Sequence, residues 1–262
     1  MSGNPIVKLE KEISMTHKDY FSGHSSLYAT FRPSYSNDLY DFILSHVKNR
    51  RRVWDCATGN GQVATHLASH FDEVYATDIS AQQLEHAIQK SNISYTVSPA
   101  ENTHFPEDHF DLITVGQALH WFNREAFYNE VKRVGKNQAY LAIWGYSMLS
   151  INTQVDAIIM DFYNNIVGPF WDNARRLVEQ EYSTIDFPFE DVQHNHFSIK
   201  VRWTRGQLTG YLQSWSATQQ YIKAHGKNPV TEVTAALASS WNDIEVKDIS
   251  FPVFLKLGRI AK

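Results

Sequence analysis

The chain has 262 residues, 43% hydrophobic and 20% charged, ordinary globular proportions that exclude wholesale disorder and allow one large core. Its formal charge of −4 argues against a nucleic-acid binder, whose footprint is a basic face, and no apolar stretch reaches the length of a membrane span. A single cysteine, Cys56, excludes an internal disulfide framework and fits a reducing compartment.

Met1 to Ile13 lacks the apolar centre of a secretion signal, so the expected location is cytoplasmic, with the protein a monomer or weak homodimer. Residues 1–35 read as an N-terminal cap segment. From Ser36 to Val47, Leu39, Tyr40, Ile43, Leu44 and Val47 recur at helical spacing, with Ser36 or Asn37 as N-cap. The basic run Lys48, Arg50, Arg51, Arg52 reads as a solvated turn into a strand.

Strands and helices then alternate. Strands are expected at Arg52–Asp55, Glu73–Thr77, Ile93–Val97, Phe110–Val115 and Gln138–Trp144. Helices are expected at Gln62–Phe71, from Ser80 as N-cap (carrying Leu84, Ala87 and Ile88) and at Arg124–Val134. Near-continuous apolar runs such as Leu112–Val115 and Tyr140–Trp144 suit strands buried on both faces of a parallel sheet. The alternation predicts an α/β fold with a doubly wound, mainly parallel sheet.

After Trp144 the rhythm changes. Residues 147–192 read as mostly helical and aromatic, 194–203 as a strand, 204–224 and 230–241 as helices, and Phe251 to Ile260 as a closing strand. No linker divides the chain, so 1–262 is expected to be a single domain carrying substrate-side helical insertions within 147–241.

The chemistry concentrates after the first strand. Gly59-x-Gly61-x-x-Ala64 satisfies the dinucleotide fingerprint, so an NAD-dependent oxidoreductase is one reading. Four residues, Asp55 to Thr58, separate the strand from Gly59, however, and the Asp55 carboxylate stands where a pyrophosphate would approach. It would instead attract a cofactor bearing an ammonium and a sulfonium, such as S-adenosylmethionine. Asp78, at the end of the second strand, is an acceptor-only group suited to both hydroxyls of an adenosine ribose.

The segment Asp55-Cys56-Ala57-Thr58-Gly59-Asn60-Gly61 resembles the first motif of class I S-adenosylmethionine-dependent methyltransferases, with Ala57 where glycine is frequent. That resemblance implies a seven-stranded, Rossmann-like methyltransferase fold with a helical cap and S-adenosylmethionine as cofactor. It places the methionine moiety on Asp55, Ala57, Gly59 and Gly61, the ribose on Asp78 and Ile79, and the adenine near Ala100 and Glu101. Gln117-Ala118-Leu119-His120-Trp121-Phe122 is similar to the post-strand-four motif of trans-aconitate methyltransferase-like enzymes, which methylate small carboxylic acids. In that group Tyr28–Tyr35, with Phe31 and Arg32, covers the cofactor, Gln117 borders it, and Leu208–Ser216 lies on the substrate side.

A carboxylate acceptor is already ionised at neutral pH and needs no general base. For a hydroxyl or amine acceptor His120 is the candidate base, and otherwise a positioning group. Tyr20, Phe21, Phe31, Trp121, Trp144 and Tyr146 offer rings for adenine or the sulfonium. Arg32 offers a clamp for a carboxylate, or a surface pair with Asp38 or Asp41. Tyr20, Trp121, Trp144, Trp171 and Trp215, with Arg175, Arg176 and Tyr221, are substrate-side candidates. His104 with His109 and His194 with His196 lack a metal-ligand set, so no metal is assigned. Besides a small-molecule methyltransferase acting on no nucleic acid or membrane, a noncatalytic S-adenosylmethionine-binding protein on the same fold remains an alternative.

Overall fold

Five strands form the parallel part of a seven-stranded sheet: β1 (Arg52–Cys56), β2 (Glu73–Asp78), β3 (Ile93–Val97), β4 (Phe110–Gly116) and β5 (Gly135–Tyr146). The computed structural model describes residues 31–262, so the expectations for Tyr20, Phe21, Tyr28 and most of segment 1–35 lie outside the described residues. Two long strands, β6 (Glu190–Thr204) and β7 (Val246–Arg259), complete the order β3-β2-β1-β4-β5-β7-β6. Strand β7 runs antiparallel to both β5 and β6.

Helices α1 (Asn37–His46), α2 (Gln62–Leu67), α3 (Ala81–Glu85) and α4 (Arg124–Val134) accompany the parallel strands. Beyond β5 come α5 (Thr153–Asp161), a π-turn at Phe162–Ile166, α6 (Arg175–Glu179), and, between β6 and β7, α7 (Arg205–Gln213), α8 (Ser216–His225) and α9 (Val230–Leu237). Side-chain caps open several of them: Asn123 accepts from Ala126 N–H, and Thr204 with Gln207 makes a capping box. Ser36 is the N-cap of α1 but makes no side-chain cap bond.

Each face of the sheet buries its own core. One contains Leu39, Ile43, Leu112 and Trp144 with the helices α5, α7 and α9; the other contains Trp54, Phe110, Phe127 and Tyr182. Strand β4 is buried over six consecutive residues, as its apolar run predicts. Three expectations need correction. Helix α2 stops at Leu67, whose carbonyl accepts from both His70 and Phe71 to close a turn. Helix α3 ends at Glu85, so Ala87 and Ile88, expected on this helix, lie beyond it; Gln83 is buried and Ile88 is 58% exposed. The closing strand begins at Val246 rather than 251, because it pairs with β6 along its whole length to Thr204.

The strand order reverses between β1 and β4. Connections leave these two neighbours in opposite directions, so a crevice opens at their carboxyl ends, where open α/β sheets bind ligands. The loops after β1, β2, β4 and β5 meet there.

Candidate active site

The loop after β1 is shaped by backbone conformation. Ala57, Gly59 and Gly61 adopt φ values of 54°, 58° and 79° in the left-handed region. Glycine tolerates this freely, whereas Ala57 carries a cost of about 1–2 kcal/mol. The loop is pinned by Thr58 N–H donating to Thr77 O at 2.9 Å and by Gly61 N–H donating to Thr58 O at 3.0 Å.

Asp55 lies beneath this loop, only 1% exposed. Its Oδ2 accepts from the Thr58 hydroxyl and, at 3.1 Å, from Ala64 N–H on the first turn of α2; Oδ1 accepts from the Thr114 hydroxyl at 2.9 Å. Burial raises its pKa to about 6 against these bonds, which favour the charged form. The sequence reading gave Asp55 an open approach to a cationic ligand. The structure makes it first the tie between β1, β4 and the loop, with its charge reaching the cleft from below.

Asp78 closes the second edge. Its Oδ2 accepts from Gly59 N–H at 2.8 Å and its Oδ1 from Ser80 N–H at 2.9 Å, binding the ends of β1 and β2 together. Ile79 beside it is half-buried, Ala100 is buried, and Glu101 accepts from Asn123 N–H at the start of α4.

These loops border a cleft whose walls include Asp55, Ala57, Gly59, Tyr35, Tyr146 and Arg32. A second, partly open cavity is bounded by Arg32, Gln117, His120, Trp121, Trp171, Asp172, Arg175, Tyr211 and Trp215. Arg32 lines both. Its guanidinium donates to the Tyr146 hydroxyl and, at 3.4 Å, to Ser214 O, and it lies 5.4 Å from the centre of the Tyr211 ring. Phe31 fixes this segment by packing on α7, where its ring lies so close to Gly210 that a Cβ would fall 2.6 Å away.

Gln117 takes a positive φ of 59°, and its side-chain amide pairs with both backbone groups of Tyr146, 2.7 Å to the N–H and 3.3 Å to the carbonyl. It therefore joins the ends of β4 and β5. His120 follows on a short 3-10 turn, 8% exposed, with Nδ1 2.8 Å from the Tyr182 hydroxyl. Burial, assisted by the Arg175 charge, lowers its pKa to about 3. A base that weak contributes little at neutral pH.

The methyltransferase-domain family model matches residues 54–143, the segment from β1 through most of β5. A Dictyostelium discoideum protein named as a methyltransferase is 33% identical over 92% of this chain and 95% of its own length. The chain belongs to the class I S-adenosylmethionine-dependent methyltransferases. A Saccharomyces cerevisiae protein named as an S-adenosylmethionine-dependent methyltransferase is 26% identical over 82% of the chain and 86% of its own length. A solved structure described as a type II methyltransferase from Anaeromyxobacter dehalogenans superposes with TM-score 0.81 and 31% identity, covering 88% of this chain and 99% of that one.

The methyltransferase's cleft suits S-adenosylmethionine. An ideal Cβ on Gly59 would meet nothing closer than Gln83 Oε1 at 4.0 Å, so the loop backbone is open to a ligand. Among the described residues Gln83 Oε1 is buried without a hydrogen-bond partner, so its acceptor is free for a ligand's donor. The Ala64 N–H of α2, which a dinucleotide's pyrophosphate would use, is already taken by Asp55.

Several substrate-side expectations resolve differently. Trp121, Trp171 and Trp215 border the second cavity, but Trp144 is fully buried, its ring against Gly116 and edge-on to Tyr35, and borders neither space. Strand β5 instead offers Tyr146 to the cleft. Arg175 borders the second cavity while Arg176 is exposed, and Tyr221 packs against Phe170 and His225. Cys56 is buried and its thiol pKa pushed up, as a packing residue's would be. Gln83 and Tyr182 were missed by sequence reasoning, whereas Tyr35, at the end of the expected covering segment, lines the cleft. A Ser80 cap three residues before Gln83 was the one available signal.

Proposed function

We propose that this methyltransferase acts on a small anionic molecule, with a carboxylate receiving the methyl group in the second cavity. The observation that carries the reading is that Arg32 lines both spaces and a second guanidinium, Arg175, also lines the second cavity. Arg175 Nε donates to the Tyr163 hydroxyl at 3.2 Å and its guanidinium lies 5.1 Å from the Trp171 ring, so the charge is held in place. Trp171 Nε1–H, buried without a partner among the described residues, offers a further donor to an oxygen.

The cofactor supplies a sulfonium-borne methyl group that passes to an electron pair of the acceptor, so an ionised carboxylate needs no proton removed. In this reading Asp55, Ala57, Gly59 and Gly61 hold the methionine part, Asp78 and Ile79 the ribose, and Ala100 and Glu101 the adenine. Phe31, Arg32 and Gln117 close over them. The residues that border the acceptor, His120, Trp121, Trp171 and Trp215, then orient it and exclude water.

Release of S-adenosylhomocysteine, followed across panels of small carboxylic acids, phenols and amines, tests this reading. Turnover with acids yielding methyl esters is expected. Turnover confined to amines or phenols would overturn it, and cofactor binding without any turnover would favour a binding protein instead.

A further inference from the structure

Tyr182 sits on the turn after α6, wholly buried, and both it and Glu181 adopt the left-handed backbone region at φ 53° and 52°. Two successive side-chain-bearing residues there are strained, and such strain persists only where surroundings impose it. Here the restraints are visible. Tyr182 N–H donates to Leu177 O at 2.8 Å, and Tyr182 O accepts from Lys256 Nζ at 2.6 Å. Lys256, a buried lysine on β7, also donates to Ile185 O at 3.2 Å. The tyrosine ring stands edge-on to Phe254 at 5.1 Å, and its hydroxyl is delivered to His120 Nδ1.

We propose that Tyr182 is a positioning residue that holds His120 as the Nε2–H tautomer, so that the imidazole turns a hydrogen-bond donor, and not a base, into the acceptor cavity. This rests on the methyl-transfer reading for its purpose, though its chemistry stands separately. A neutral imidazole has one donor and one acceptor nitrogen. Among the described residues the Tyr182 hydroxyl has its one hydrogen-bond partner in His120 Nδ1, at 2.8 Å, so Nδ1 is the acceptor its proton has there. In the opposite tautomer Nδ1–H would donate to the phenol, and the phenol's own hydrogen would be stranded in a dry core.

The charges around the ring agree. Arg175 of α6 disfavours an imidazolium and Asp172, just before α6, favours it, but burial outweighs both. Arg32 and Tyr211 complete the ionisable groups bordering the same cavity, and Lys256 lies behind the tyrosine. The resulting Nε2–H matches an acceptor that brings its own electron pair and has an oxygen to be held.

Long-range proton–nitrogen correlation spectra of protein labelled with nitrogen-15 histidine test this directly, alone and saturated with S-adenosylhomocysteine. His120 is assigned by the signal lost in His120→Gln. The expected result is a neutral Nε2–H pattern unchanged between pH 8 and 5. In Tyr182→Phe mixed tautomers and a titration closer to ordinary histidine are expected. An Nδ1–H pattern, or titration of wild-type His120 between pH 5 and 8, overturns the proposal whether or not Tyr182→Phe folds. Calorimetry with S-adenosylmethionine on the same samples keeps the two inferences apart. Absent binding would overturn the methyl-transfer reading, whereas the spectra judge the tautomer.

Discussion

Arg32 donates to the hydroxyl of Tyr146, tying the segment ahead of α1 to the end of β5 where it lines both the cleft beside the first-strand loop and the second cavity. In the proposed reading a guanidinium in that position acts on both ligands. Arg32→Ala is expected to weaken S-adenosylhomocysteine binding and raise the acceptor KM, each by roughly tenfold or more, the scale of one charge-assisted hydrogen bond. Tyr146→Phe, which keeps the charge but removes the tether, should do less to both. Calorimetry and steady-state kinetics check this; a change in melting temperature alone would reduce Arg32 to a structural role.

If Asp55 faces the cofactor as proposed, pH and cofactor binding are linked through it. Its folded pKa, about 6, lies above the ordinary carboxyl value, so the folded state binds the proton more tightly than the unfolded state. Its contribution to stability therefore improves as pH falls from above 6 towards 4, while its attraction for a cationic ligand disappears. S-adenosylmethionine affinity should drop about three- to tenfold between pH 7.5 and 5, the Coulomb scale for a near pair in a moderately screened site. In Asp55→Asn, that pH dependence should vanish. Titration calorimetry at the two pH values measures it.

The two glycines of the loop separate binding from folding. A Cβ on Gly59 would enter open space, but one on Gly61 would fall 2.4 Å from the Tyr95 hydroxyl oxygen. Both have positive φ, so each alanine variant loses about 1–2 kcal/mol from backbone strain. Gly61→Ala adds an overpacking cost and should lose about 2–4 kcal/mol in all. Gly59→Ala should stay folded yet lose cofactor affinity, because its methyl group occupies the ligand's side of the loop. Chemical denaturation and calorimetry on the pair distinguish the two effects.

The parallel strands were legible because burial on both faces leaves a simple mark. Ile93–Val97 and Arg124–Val134 match their expected bounds, and β1, β2 and β4 each extend one residue further. The loop was legible because glycine at positive φ and a carboxylate after a strand are local features. Other parts depend on residues far apart in sequence. Nothing near Trp144 says that it faces Gly116 while Tyr146, two positions on, reaches the cleft. Tyr182 meets His120 across 62 positions, through a strained turn that no periodicity announces. Gln83 drew no reading from the sequence, because only tertiary packing buries its side chain.

The placement of β7 between β5 and β6 has a consequence for assembly. As the chain emerges during synthesis, β6 has no neighbour in the sheet until three further helices and β7 have been made. Until then fifteen residues of β6 and one edge of β5 expose unpaired backbone groups. One late insertion seals both edges, and the same strand brings Lys256 beneath Tyr182. A nascent chain halted before Val246 would thus have its nucleotide-side loops in place but an unfinished acceptor side, and would be exposed to aggregation at that stage.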